Sequence, residues 1–426
     1  MDFAGITEVK IPQGNVEKIT ETSSGRVLWE GFPTNVKAHW ELLELENDEA
    51  NNNYYEMVKD VVDTGDGVEF FCNGFASSLT DKARPSRRFH YKANGTYGDV
   101  YTLWRGTQLQ ADDIAEMDYF KLSSSEQDNT AEPITGPNWA HAGWSLTIGC
   151  ADIDPESKIW CVTSPSSAYT SNALSPIKWG PKLKSIAGDL CCWSPKLKRF
   201  CLVGERNSTL VDINGSITDE KYSYPSDSSV KSMALNVFSS NMLWSDKLGK
   251  FIINRGAKND INYTRVVMSS NGLDWANVSS TFTGGKPDKL NTGSGEGDGF
   301  LNGLCYMDGK FLVDNAYDKH YIYASTDCQN WTCITELPNT GNTGASSITS
   351  LVYSPQKRVL LLSDLKTSYV TRDLKTWIEV PYATGTNTTV ITRRWVRWSN
   401  SLNAFIRMYA SAGGGLKMVS KLVIEN

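Results

Sequence analysis

Hydrophobic and polar positions along the chain fall into short apolar runs broken by polar turns, and one such pattern recurs. Residues 193–202, 244–253 and 398–407 align without gaps as W-S-[PDN]-x-L-x-x-F. Shorter relatives occupy residues 306–313 and 353–360, and a weaker one residues 153–162. Each copy reads as strand, turn, strand, because Pro, Asp, Asn or Gly stands where the backbone must reverse. A second motif, [ST]-x-[DN]-x-x-x-W, follows at Ser269 to Trp275, Ser325 to Trp331 and Thr371 to Trp377. Its Asp or Asn can bond its own backbone and hold a tight turn, while the Trp packs between neighbouring sheets.

The hairpins begin at residues 153, 193, 244, 306, 353 and 398, giving steps of 40, 51, 62, 47 and 45 residues. A four-stranded unit repeated at this spacing predicts a β-propeller of six blades over residues 139–426. The longest step holds the glycine-rich residues 284–287 and 293–299, read as an exposed loop. After Phe405 the chain is too short for another complete unit, so a strand from before the first blade must close the ring. The segment from Trp139 to Trp144 is the expected closing strand.

Two segments precede the repeat. Residues 1–35 alternate apolar and polar positions and predict a small β meander, too small to fold without docking on something larger. Residues 36–138 lack the repeat and predict a compact mixed or mainly β module, with a short helix opening near Glu41 and strands near Phe70 and Tyr101. The fold class expected is therefore mainly β: a six-bladed β-propeller preceded by a small β meander and a compact mixed module.

Composition narrows the chemistry. The chain has 426 residues, 42 basic and 48 acidic side chains and a net charge of −6, which argues against a general nucleic-acid binder. No apolar run approaches the ~20 residues of a membrane helix, and residues 1–5 lack the features of a secretory signal. Nine cysteines without a C-x-x-C pair predict buried free thiols. The four histidines have no metal-ligand spacing, and no nucleophile elbow or phosphate-binding loop is present. No cofactor, metal or catalytic residue is expected.

The [ST]-x-[DN]-x-x-x-W turns resemble, in shortened form, the Asp-box of sialidase-like propellers. Asp-boxes are structural turns on the rim, so this resemblance implies fold and not activity. The Arg-Ile-Pro string of sialidases has only Arg84-Pro85 as a counterpart, upstream of the ring. Arg206, Arg255, Arg265, Arg372 and Arg407 are the arginines that could converge, and Asp314 and Asp318 are the carboxylates a glycosidase reading would use. Tryptophans at repeat positions, Trp193, Trp244, Trp275, Trp331, Trp377 and Trp398, are expected in the core. Non-repeating Trp104, Trp179 and Trp395 are the candidate receptor contacts, with Trp139 and Trp144 beside them.

The opening, I-P-x-G-x-V-x-K-I over residues 11–19 followed by G-x-V-L-W over residues 25–29, resembles that of bacteriophage tail proteins. Propellers with shortened Asp-boxes are similar to those of phage tails and appendages. The resemblance implies a virion component, a non-contractile sheath or outer decoration of a short-tailed phage, assembled in the host cytoplasm. Ile11, Val16, Ile19, Val27, Leu28 and Trp29 would dock on other tail subunits or on further copies of the chain. The ring would face a bacterial outer-surface receptor, protein or glycan, with no nucleic acid bound and no membrane inserted. The alternative is a propeller glycosidase or glycan-binding protein acting on host-surface carbohydrate.

Overall fold

The computed structural model describes residues 18–20, 27–30, 36–43, 58–72, 86–104, 121–122, 150–163, 168–172, 190–204, 208–221, 241–254, 266–286, 300–316, 318–338, 349–364, 366–382, 396–408 and 419–425. Their regular structure is all strand, arranged as a β-propeller. The six repeat units form six blades, as the spacing predicts. Their inner strands are Ala151–Ile153, Leu190–Ser194, Asn241–Ser245, Phe300–Met307, Ser350–Ser354 and Val396–Ser399. The chain returns antiparallel within each blade and moves outward strand by strand. In the fourth blade the incoming strand Thr281–Thr283 adds a parallel edge to Asn330–Pro338.

The repeat works through one cross-strand pair and one turn. Trp193 stands opposite Phe200, Trp244 opposite Phe251, Tyr306 opposite Phe311, Tyr353 opposite Leu360 and Trp398 opposite Phe405. The aromatic pairs sit 4.7–4.9 Å apart and tilted, a favoured geometry for two rings. The serine after the anchor caps the reversal: Ser194, Ser245, Ser354 and Ser399 each accept a hydrogen bond from the backbone N–H three residues on. The next residue, Lys198, Gly249, Arg358 or Asn403, adopts a left-handed φ of 51–62°. The fourth blade instead uses Asp308-Gly309, both at positive φ, the pair a tight two-residue hairpin requires.

The ring closes differently from the sequence expectation. Ala38–Leu42 pairs antiparallel with Val419–Ile424 and becomes the fourth strand of the last blade, with Trp40 opposite Leu422. Residues 139–144 lie outside the described residues, and the helix expected near Glu41 is part of this closing strand. Trp40 explains why the strand form wins. It is buried in a cluster with Leu361, Val370 and Val380 of the fifth blade. Its ring packs on Tyr382 at 5.5 Å, and its indole N–H donates to Ser368 Oγ at 2.9 Å. Tertiary contact outweighs the weak helical preference of Glu41 and Leu42.

A further sheet without the repeat, Val58–Asp63, Gly67–Cys72, Ser86–Lys92, Tyr97–Trp104 and Lys121–Leu122, stands between the last blade and the first. Among the described residues the circle of inner strands therefore has seven members, six from the repeat and one from this sheet. The described part of residues 36–138 is all β and built into the ring. Phe70 and Val68 pack on Ile406 and Met408 of the last blade, and Phe71 packs edge-on to Trp160 of the first. Trp193, Trp275 and Trp331 are buried as expected, whereas Trp244, Trp377 and Trp398 are half-buried. The N–H groups of all three reach polar partners at turns, Trp244 to Asp246, Trp377 to the Leu374 carbonyl, and Trp398 to Asn400 and Gln356.

Trp40→Ala removes a buried ring and a hydrogen bond at the seam. We expect a loss of about 3–5 kcal/mol in urea-unfolding free energy, with the midpoint falling and the protein becoming prone to associate through the exposed edge of Val419–Ile424.

Candidate functional site

The first-to-second strand turns of the blades, and the third-to-fourth strand turns of the second to fifth blades, lie on one face of the ring, the turn face. The remaining connections, including those between blades, lie on the other. The Asp-box-like turns sit on the turn face and share one hydrogen-bond plan. Ser269, Ser325 and Thr371 each accept from the N–H three residues on. Asn271, Asp327 and Asp373 each accept from two N–H groups two and three residues on. The fourth position, Gly272, Cys328 or Leu374, takes a left-handed φ of 62–76°. Backbone N–H donors hold the Asp327 carboxyl well below the usual carboxylate range. All these polar groups are consumed in holding the turn.

A cluster of ionisable groups lies buried at the opposite face, where each second strand ends. At this position the first, third, fourth and fifth blades carry Thr163, Asn254, Asp314 and Ser363. Asn254 Nδ2 donates to the carbonyls of Leu301 and Gly303, stitching the third blade to the fourth. Gly303 bulges the inner strand at φ +53°, where a Cβ would lie 2.6 Å from that of Leu351. Asp314 Oδ2 accepts from Thr349 at 2.7 Å and lies 3.0 Å from His320 Nδ1. The other ring nitrogen of His320 lies 3.3 Å from Asp364 Oδ2 in the fifth blade.

His320 and Asp314 are fully buried, and Asp364 is 2 % exposed. Burial works against a charge on His320, but Asp314 and then Asp364 outweigh it and raise its pKa to about 9. Burial likewise opposes the Asp364 charge, yet the His320 hydrogen bond and the N–H groups of Thr367 and Lys366 leave its pKa lowered. The network continues outward. Tyr382 donates to the Asp364 carbonyl and meets Ser363 Oγ, and the Arg407 guanidinium lies 3.5 Å from the Tyr382 ring centre. At neutral pH an imidazolium held between two carboxylates has no lone pair with which to act as a base. This arrangement ties three blades together.

A second ion pair spans the seam, its carboxylate buried and its guanidinium half-buried. Arg397 of the last blade grips Asp60 of the inserted sheet through two hydrogen bonds of 2.9 Å and donates to the Ala151 carbonyl of the first blade. Asp60 in turn accepts from the Ala151 N–H. Burial opposes the guanidinium charge, and the Asp60 carboxylate overrides it, raising the Arg397 pKa.

Of the residues expected from sequence, Asp314 belongs to the buried network, whereas Asp318 is exposed, pairs with Lys286 and accepts from Tyr321 Oη. No hydrogen bond joins the two carboxylates. Arg407 is buried against Tyr382, Arg372 lies on an Asp-box-like turn, and Arg206, Arg255 and Arg265 lie outside the described residues. Ile19, Val27, Leu28 and Trp29 lie in a hairpin, with Ile19 opposite Trp29, and Ile11 and Val16 lie outside the described residues. Trp104 is in a strand opposite Ser86, and Trp179 and Trp395 lie outside the described residues. Cys150, Cys161, Cys191, Cys192, Cys201, Cys305, Cys328 and Cys333 form no disulfide, and all but Cys333 are buried. Among the described residues no group of three His, Cys, Asp or Glu side chains is placed to hold a metal ion. Sequence reading did not find His320, Asp364, Tyr382 or the Asp60–Arg397 pair, since none stands in a local motif.

No protein-family description matches the chain, and no curated protein matches it by sequence. Among solved structures, the extracellular domain of a B. thetaiotaomicron protein described as a hybrid two component system is similar. It shares 8 % identity and a TM-score of 0.51 over 92 % of this chain and 40 % of its own. A second structure of that extracellular domain, described as from a one component system, gives 0.49 over 91 % and 40 %, also at 8 % identity. The BBS1N chain, solved in complex with ARL6DN, gives 0.43 at 11 % identity over 91 % of this chain and 97 % of its own. The chain spans about two fifths of the length of the bacterial chains. The likeness at 0.51 supports the propeller fold alone.

Two outcomes are expected. Because the folded pKa of His320 lies above its ordinary 6.5, its contribution is complete below pH 6.5 and lost as pH rises through about 9. Urea unfolding should therefore show a decline on the order of 3 kcal/mol across that window, absent in His320→Gln. Asp60→Asn leaves Arg397 without its charge partner and should cost about 3–5 kcal/mol in the same measurement.

Proposed function

We propose that the protein is a structural subunit of a bacteriophage tail, a non-contractile sheath or outer decoration, whose ring contributes to attachment at a bacterial outer surface. The observation that carries this reading is the opening string, whose two halves resemble a tail-docking segment. The described ends of those halves pair as an antiparallel hairpin, Lys18–Thr20 with Val27–Glu30. A short link then leads into Ala38–Leu42, the strand that completes the last blade. A docking segment at this place is tethered to the seam of the ring, so load on it passes into the paired main chain. Identical rings displayed at high copy would add weak single contacts into firm attachment.

Mass spectrometry and cryo-microscopy of phage particles encoding the chain test the proposal. The protein is expected in the tail at many copies. Deleting residues 1–30, which leaves the closing strand intact, should abolish incorporation while the ring still folds. Absence of the chain from particles overturns the tail reading. Release of sugar from host polysaccharide by the purified protein would favour the glycosidase alternative instead.

A further inference from the structure

On the turn face, between the third and fourth blades, lies a groove of about 370 Å³, within the ~300–1,000 Å³ range of small-molecule sites. Lys250, Asn277, Ser279 and Gln329 line it with polar groups, and Met268 and Val278 supply an apolar part. Lys250 opens the second strand of the third blade and is exposed. Gln329 comes from the Asp-box-like turn of the fourth blade. The neighbouring Lys247 bridges the two blades by donating to the carbonyls of Gly309 and Thr326.

The inner turns of this face are rich in cations. In the first five blades the turns between inner and second strands, residues 154–158, 194–199, 245–250, 307–310 and 354–358, carry nine basic and four acidic side chains, in a chain of net charge −6. Several of these cations are satisfied: Lys198 pairs with Glu156 and Arg358 with Asp308. Lys250 has no ion pair or hydrogen bond among the described residues. The acid lining the groove, Asp274, is already paired with Lys221 and accepts from Asn271, and the Lys221 bond lowers its pKa. The groove therefore offers one unspent positive charge beside amides, hydroxyls and a small apolar surface.

We propose that this groove binds an acidic saccharide, taking one carboxylate-bearing sugar ring. Lys250 pairs with the carboxylate, Asn277, Ser279 and Gln329 bond ring hydroxyls, and Met268 and Val278 lie against the C–H surface of the sugar. A nucleic acid fits less well, because the outer turns of the second, third and fourth blades present Asp212, Asp274 and Asp327 to any continuous phosphate backbone. This inference deepens the attachment half of the proposed function.

Titration calorimetry of the full chain with a hyaluronan oligosaccharide, sialyllactose and neutral chitotetraose tests it. At least one acidic probe is expected to bind about tenfold more tightly than the neutral one at low salt. Lys250→Gln should lose that advantage with an unchanged circular dichroism spectrum, while Lys310→Gln, on the next blade's turn, keeps it. Binding of neither acidic probe, equal binding of the neutral one, or an unaffected Lys250→Gln variant overturns the proposal. Such a result leaves presence in the virion untouched, and absence from the virion leaves saccharide binding by the purified chain untouched.

Discussion

A ring of packed sheets depends on the seam where its ends meet, because an open edge there leaves main-chain donors and acceptors unpaired and sheet faces uncovered. Here the seam is held twice. Main-chain pairing joins Ala38–Leu42 to Val419–Ile424. The inserted sheet then wedges between last and first blades, fastened by Arg397, Asp60 and Ala151. Main-chain pairing supplies the edge, and the ion pair supplies register, since a bidentate guanidinium accepts little displacement.

The same logic governs the buried polar groups at the opposite face from the turns. Asn254, Asp314, His320 and Asp364 reach across blade boundaries where apolar packing alone would leave neighbouring sheets free to slide. The charges of Asp314, His320 and Asp364 are tolerable because each group is bonded to more than one partner; an isolated buried charge would be far more costly. Groups that in another setting would suggest acid–base chemistry here join neighbouring blades. The turn face differs. Its polar groups are local, its reversals are short, and its cations stand close enough to solvent for Lys250 to meet a ligand.

Much of the propeller was legible in the chain because its chemistry is local. The serine cap, the left-handed residue four places after it and the aromatic opposite Phe or Leu all act within ten residues, so W-S-[PDN]-x-L-x-x-F marks each of its hairpins. The Asp-box-like turns are equally local, and they form as their spacing implies at all three positions. Core assignment was less legible: Trp244, Trp377 and Trp398 hold repeat positions yet remain half-buried, because their indole N–H groups or ring edges lie at turns facing water.

Sequence by itself determined the repeat hairpins, their turns, and the six repeat blades, since hydrophobic spacing and turn residues act over neighbouring positions. Only the tertiary structure decided which strand closes the ring, what stands between last blade and first, and which carboxylates find partners. Asp60 and Arg397 are 337 residues apart in the chain, and Asp364 is 44 from His320. Pairings at such separations are selected by packing geometry and by the cost of leaving a buried charge alone, and neither leaves a periodic mark in the order of residues.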